Sequence, residues 1–406
     1  MLADGQCMHI SNTLAASFSL GLLACLSGTA AASMDGEPGV EIISLPVEMG
    51  SYWGVLFSGD GSTIGAYGDG IESQVVYLHD GMGWKLVRRE LDVAPPGTSV
   101  NGLSDDGASL LMSGYNDVSI YRDGGATVLP KRWENAQGAN LYGTAAFRGA
   151  ISGDGLVIGF GLSPTDNEYG MDALLWDGGR ELLNLNIERV SDGADYSVED
   201  LNQDGQVAVG YVIRNGSIND VEHFNVHTPW VYQNGVLVDI PLLNLGYEQT
   251  AYIAGVSGNG EAVIGSSHGV WAGGGTQWIF GENHAWIWTS KTGTVEIEDS
   301  SVFEYVNVWD ITDDAQIVLG NGRDINGQWD RFLWTHQSGF VMLDDLFAHY
   351  GIQIDIDPDS DSDRYWFSQI SVDGSKLMGG ARIDGKGHAI IVTIPTRAGV
   401  LSAFGR

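Results

Sequence analysis

The chain has 406 residues, 43% of them hydrophobic and 10% aromatic, which is ample side chain for a large buried core. Its 52 acidic residues against 19 Lys and Arg leave a net charge of −33. That field repels nucleic-acid phosphates and anionic membrane surfaces, so nucleic acid is excluded as a partner. The 58 Gly and only 10 Pro suit many tight turns and few rigid linkers.

The first element is an apolar run from Leu14 to Leu26, followed by small residues ending in Ala30-x-Ala32. It is too short to span a membrane as a stable helix and reads as a secretory signal over residues 1–32, although no Lys or Arg precedes it. Met8 offers an alternative start. Leu22-Leu23-Ala24-Cys25 offers a second processing route, in which Cys25 becomes a lipid anchor. Cys7 and Cys25 both lie in this segment, so a mature chain has no disulfide and no cysteine metal site.

Next comes a lone β run, Val40 to Pro46, and then a pattern that recurs seven times. Each copy is a short β run, a turn of the type Ser-Gly-Asp-Gly, and a second β run ending in Gly. The clearest is Ile151-Ser152-Gly153-Asp154-Gly155-Leu156-Val157-Ile158-Gly159. The third turn residue falls at 60, 106, 154, 204, 259, 314 and 373, at intervals of 46, 48, 50, 55, 55 and 59. A period of this size marks a repeat array, which overrides the two or three domains that length alone suggests. The Asp and Asn residues belong to turn chemistry, and the Gly after them supplies a positive φ without steric cost. Thr312-Asp313-Asp314-Ala315 ends in Ala, which resists positive φ, so an altered turn is expected there.

Each repeat has a second half: a strand carrying an aromatic, a turn, and a final strand. Ala173-Leu174-Leu175-Trp176, Ala285-Trp286-Ile287-Trp288 and Phe332-Leu333-Trp334 are examples of the first. Four short strands per repeat and seven repeats predict an all-β fold, a seven-bladed β-propeller over residues 40–395 with a short tail at 396–406. The last repeat runs out after its third strand, at Thr393-Ile394-Pro395. Residues 40–46 are therefore expected to supply its fourth strand and close the ring, which removes exposed edges. Apart from a turn or two at Leu343 to Tyr350, no helix is expected.

Two stretches could carry function. Repeats four and five hold long insertions, 212–229 and 266–284, between their second and third strands. Long loops in compact arrays are commonly functional. These carry His223, His227, His268 and His284 with Trp271, Trp278 and Phe280, and adjacent repeats should present them side by side. Exposed indole rings can stack on sugars while imidazoles orient hydroxyls, so Trp271, Trp278, Phe280, His223, His227 and His268 form a candidate ligand surface. The alternative is that these aromatics pack their own loop and His284 is a repeat residue. The second stretch alternates Asp355, Asp357, Asp359, Asp361 and Asp363. Clustered carboxylates repel without cations and suit Ca2+, though the EF-hand Gly and Glu positions are missing. A solvated acidic loop is the equal alternative. The chain has no Gly-x-Ser-x-Gly elbow, P-loop or His-Glu-x-x-His helix.

In its repeat units the chain resembles the bacterial extracellular HAF repeat proteins, named for a His-Ala-Phe tripeptide. His284-Ala285-Trp286 and His388-Ala389-Ile390 match best, while Asp172-Ala173-Leu174 keeps only the Ala and Arg331-Phe332-Leu333 has drifted further. Met342-Leu343-Asp344-Asp345-Leu346, Tyr350-Gly351 and Ile370-Ser371-Val372-Asp373-Gly374 also look like the end of such arrays. The resemblance covers roughly residues 50–395 and implies export from a bacterium to the surface or the medium. It supplies no catalytic residues. The expected function is a monomeric surface or extracellular binding module for a glycan or cell-surface component. The alternative is a secreted carbohydrate-active lyase or hydrolase that uses carboxylates or His at one mouth of the ring.

Overall fold

The computed structural model describes residues 38–394 apart from 47–48, 71–73, 90–98, 114–117, 130–131, 135–139, 143–148, 163–171, 179–181, 186–194, 219–220, 246–248, 273–277, 298–301 and 355–363. Seven four-stranded antiparallel sheets follow one another along the chain as the blades of a propeller. Blade 1 runs from Met49–Phe57 to Trp84–Arg89, blade 2 from Ser99–Leu103 to Gly125–Val128, and blade 3 from Gly149–Ile151 to Leu182–Asn184. Blade 4 spans Asp195–Leu201 to Val236–Asp239, blade 5 Gln249–Val256 to Gly293–Glu296, and blade 6 Tyr305–Ile311 to Gly339–Met342. Blade 7 takes three strands from the end of the chain, Arg364–Ile370, Lys376–Ile383 and Lys386–Thr393. Its fourth is Gly39–Ser44, antiparallel to the last and in register from Gly39 opposite Thr393 to Ser44 opposite His388. The closure expected from the orphan run at 40–46 is therefore present.

The seven turns share one hydrogen-bond network. In the first, Ser58 Oγ donates to Asp60 Oδ1 at 2.8 Å and accepts the Thr63 N–H, while Asp60 Oδ1 also accepts the Ser62 N–H. The same three bonds recur at Ser152, Asp154, Leu156 and Val157 and in the other copies. The short polar side chains satisfy backbone donors that the reversal would otherwise strand. Ala315 departs from expectation. It keeps the turn of its siblings at φ 62°, with its N–H donating to the Thr312 carbonyl at 2.9 Å. The side-chain network holds the backbone where Ala alone resists, at the cost of a stretched Asp314–Gln316 bond of 3.3 Å.

The core consists of layers between neighbouring blades. Between blades 5 and 6, Ile264, Ala285 and Ile287 pack on Val306, Val318 and Phe332. Inside blade 5 the second strand makes a close approach to its neighbours in the same sheet. A Cβ on Gly265 would sit 2.3 Å from the Trp286 ring and 2.4 Å from the Tyr252 carbonyl oxygen, so the buried indole lies directly over bare backbone.

Two features go beyond the expected strands. The insertions of blades 4 and 5 are not loops. Val207–Ile218 pairs with Val221–Gln233 out to Ile218 opposite Val221, and Ala262–Ala272 pairs with Trp278–Thr289 out to Ala272 opposite Trp278. Both are extended hairpins, because continued pairing satisfies backbone groups that a loop would leave to water. A two-stranded ribbon, Arg132–Glu134 with Asn140–Tyr142, also follows blade 2. The helix at Leu343–Tyr350 buries Leu343, Leu346 and Phe347.

Candidate functional site

Two regions gather polar side chains: the central channel and the face from which the two hairpins extend.

At the turn end of the channel, the second residues of the seven turns are Gly59, Asp105, Gly153, Gln203, Gly258, Asp313 and Val372. Small and large residues alternate around the first six. A Cβ on Gly153 would lie 2.0 Å from Gln203 Oε1 and 2.1 Å from Asp105 Oδ2, and one on Gly258 would lie 2.2 Å from Asp313 Oδ1. The glycines thus let the longer side chains lie across them. Backbone bonds join turn to turn around the whole circle. Gly59 N–H reaches Asp105 O, Asp105 reaches Gly153, Asp154 reaches Gln203, and Gln203 reaches Gly258. Asn259 then reaches Asp313, Asp313 reaches Val372, and Val372 returns to Gly59, all at 2.8–3.2 Å.

Above this rim lies a cavity of about 190 Å³, lined by inner strands and including Asp105, Glu199, Asp200, Asp310, Asp313 and Gln369. Asp200 accepts its neighbour's N–H, from Leu201, on Oδ1 and the Val256 N–H of the next blade on Oδ2, both at 2.8 Å. Asp310 repeats this with Ile311 and, across the seam, Ile370. Gln369 Oε1 accepts the Phe57 N–H between blades 7 and 1. Burial pushes the Asp310 carboxyl up to about 8, against the lowering by its two N–H donors and with help from Asp200 and Asp105. Asp200 rises to about 7, again chiefly through burial. Asp105 rises to about 6 through burial and then the charges of Asp313, Asp106, Asp60 and Asp154. Asp200 and Asp310 nonetheless keep a minor part of their surface open to the cavity. Among the described residues, no group of three or more His, Cys, Asp or Glu is placed to hold a metal ion.

The hairpin face carries a row of rings in contact across three blades. Tyr211 stacks on His227 at 4.5 Å between centroids, and His227 meets Tyr252 edge-on at 4.7 Å. Tyr252 meets His268 at 5.6 Å, His268 meets Tyr305 at 6.1 Å, and Tyr305 meets Trp329 at 5.4 Å. Trp329 is 51% exposed. Burial, then the nearby His284, lowers the His268 pKa, so its ring is neutral at neutral pH. Beside the row, Asn283 donates to the Val306 carbonyl at 2.7 Å, while its buried Oδ1 and the buried Ser267 Oγ find no partner among the described residues. His284 pairs with Glu296 of the outer strand, which fits the repeat-residue reading.

Of the residues singled out from sequence, His227 and His268 are brought into this row. The backbones of His223, Trp271, Trp278 and Phe280 run in the two hairpins. Asp355, Asp357, Asp359, Asp361 and Asp363 lie outside the described residues, as do the segment 1–32 and the tail 396–406. Tyr211, Tyr252, Tyr305 and Trp329 went unrecognised, because each sits on an ordinary blade strand rather than in an insertion.

Fold and channel define the class: a closed seven-bladed β-propeller with four-stranded blades. The β-propeller domain of the trilobed protease from Pyrococcus furiosus, described as having an open velcro topology, aligns with a TM-score of 0.51 at 9% identity. That match covers 85% of this chain and 94% of that one. Hydrazine synthase from Kuenenia stuttgartiensis aligns at 0.46 with 12% identity, over 85% and 96%. TolB from Acinetobacter baumannii gives 0.38 and 12%, over 87% of this chain, which spans 66% of the TolB chain. At these identities the likeness shows fold alone. No protein-family model and no curated protein matches the chain.

Proposed function

We propose that this protein is an exported bacterial binding module of the HAF-repeat type, which takes a glycan or cell-surface component on its hairpin face. The observation that carries this reading is the continuous row Tyr211, His227, Tyr252, His268, Tyr305 and Trp329. The exposed Trp329 indole ends the row, the partly exposed Tyr305, His268, Tyr252 and His227 rings continue it and the buried Tyr211 backs it, and sugars offer apolar C–H faces ringed by hydroxyls. Recognition stands ahead of turnover because Asp200 and Asp310 have both carboxylate oxygens engaged by backbone N–H groups. They serve as staples between blades.

The test is a panel of bacterial and plant polysaccharides with the purified protein, in calcium and in chelator, scoring both retention and released fragments. Retention without fragments is expected. Trp329→Ala, and separately Trp271→Ala with Trp278→Ala, should reduce retention at an unchanged melting temperature. Released fragments would move the assignment to a lyase or hydrolase.

A further inference from the structure

One end of the ring row differs from the rest. On blade 6, Tyr305 lies opposite Arg323 and Asn307 opposite Asn321. Arg323 in turn lies opposite Trp329, and Asn321 opposite Arg331. Directly opposed residues, and residues two apart on a strand, project from the same side of a sheet. One face of blade 6 therefore carries two arginines, two asparagines, a tyrosine and a tryptophan. Its inner end meets blade 5, where Tyr305 contacts His268 and Asn307 accepts from Asn283, and its outer end meets blade 7, where the Arg331 guanidinium sits 4.0 Å from the Tyr365 ring centroid and donates to the Tyr365 carbonyl at 3.0 Å. The Arg323 guanidinium lies 5.7 Å from the Tyr305 ring centroid.

Among the described residues, neither guanidinium makes an ion pair, and the charge of Asp344 is felt at Tyr365. Each cation lies within cation–π range of a tyrosine ring, Arg331 is also tied to the Tyr365 carbonyl, and among the described residues most of their N–H donors are left unspent. A planar cation with a fixed fork is the group best matched to a carboxylate, which it can bind through two parallel hydrogen bonds. Arg323 is exposed, and the half-exposed indole of Trp329 lies on the neighbouring strand.

We propose that this seam between blades 6 and 7 is an acidic-sugar subsite. It takes a carboxylated pyranose, with the sugar's apolar face on Trp329 and its carboxylate on Arg323 and Arg331. The proposal rests on the reading of the hairpin face as a glycan surface and names the class of sugar at its blade 6 end. Because the protein as a whole is strongly acidic, the two cations act at contact range, where recognition of one carboxylate outweighs the screened repulsion of distant charges.

The test uses the full-length protein and two probes, a galacturonic acid oligomer and its carboxyl-reduced, neutral galactose counterpart, in calorimetric titrations at 0.15 M salt. The acidic probe is expected to bind at least tenfold more tightly. Arg323→Gln with Arg331→Gln should abolish that preference and leave neutral-probe affinity within twofold. Arg331→Lys, which keeps the charge and loses the fork, should retain only part of the preference; this variant also serves if the double variant fails to fold. Equal affinity of the native protein for both probes would overturn the subsite while leaving the glycan surface standing. Failure of both probes, together with an empty polysaccharide panel, would overturn both. Displacement of the acidic probe by polyglutamate at equal carboxylate concentration would show charge attraction alone and also overturn it.

Discussion

The Asp310 carboxylate reaches across the seam between blades 6 and 7 and accepts the backbone N–H of Ile370 at 2.8 Å. Its other oxygen holds the N–H of Ile311. One side chain thus fixes the inner strands of two blades together. At pH 5, where Asp310 is protonated, its hydroxyl oxygen can still accept an N–H whereas the NH2 of Asn cannot, so Asp310→Asn should cost about 1–3 kcal/mol by denaturant titration.

That cost should shrink as pH rises. Asp310, Asp200 and Asp105 have folded-state pKa values raised to about 8, 7 and 6. A raised carboxyl binds more protons in the folded chain than in the unfolded one between its two pKa values, so it lowers stability as pH climbs through that window. The three groups should therefore make the fold less stable from about pH 4 toward pH 8, the reverse of ordinary acid denaturation. Asp310→Asn should flatten the upper part of this slope, read as the midpoint of urea unfolding at pH 5, 7 and 9.

Ala315 sits at φ 62°, where an L side chain crowds its own carbonyl. Ala315→Gly relieves about 1–2 kcal/mol of that crowding and returns about 0.4–1 kcal/mol through greater freedom of the unfolded chain. The variant should melt slightly higher than the native protein in calorimetry, with its other properties unchanged.

Two glycine substitutions should behave very differently. A Cβ on Gly153 meets the ends of the Gln203 and Asp105 side chains, which can swing away. A Cβ on Gly265 meets the Trp286 ring and the Tyr252 carbonyl, which cannot. Gly265→Ala should cost about 3 kcal/mol or more and Gly153→Ala about 1 kcal/mol, compared in parallel urea titrations.

Deleting residues 1–46 removes the strand that covers the edge of Lys386–Thr393, and with it Leu45, which packs near Ala389 and Ile391. The shortened chain should lose its single sharp thermal transition and elute from a sizing column as aggregates, since a bare hydrophobic edge recruits other strands.

The strands, the turns and the closing strand were legible because each rests on local chemistry. Asp154 followed by Gly155 means the same thing in any context, and the orphan run at Val40 matches a visible gap in the last repeat. The channel staples were harder to read. Asp200 and Asp310 stand four residues before the turn Asp, a position that the other repeats fill with Leu56, Gly102, Ala150, Gly255 and Gln369. Aligning the repeats on their turns exposes the polar residues in this mixed column, but their partners Val256 and Ile370 lie in the following blade. The turn at Ala315 differs from its propensity for a related reason. Propensity weighs Ala alone, whereas Thr312 and Asp314 hold the turn through side-chain bonds. The ring row was half visible: His227 and His268 stood out in the insertions, while Tyr252 and Tyr305 looked like ordinary strand residues.

The unbroken backbone circle at the turn face, from Gly59 through Val372 and back to Gly59, gives the molecule a hub with no first or last spoke. Widening that hub means breaking the circle, so novelty is confined to the far ends of the spokes. The lengthened hairpins of blades 4 and 5 are an instance: they grow axially outward from the opposite rim, and the diameter of the ring stays as it is.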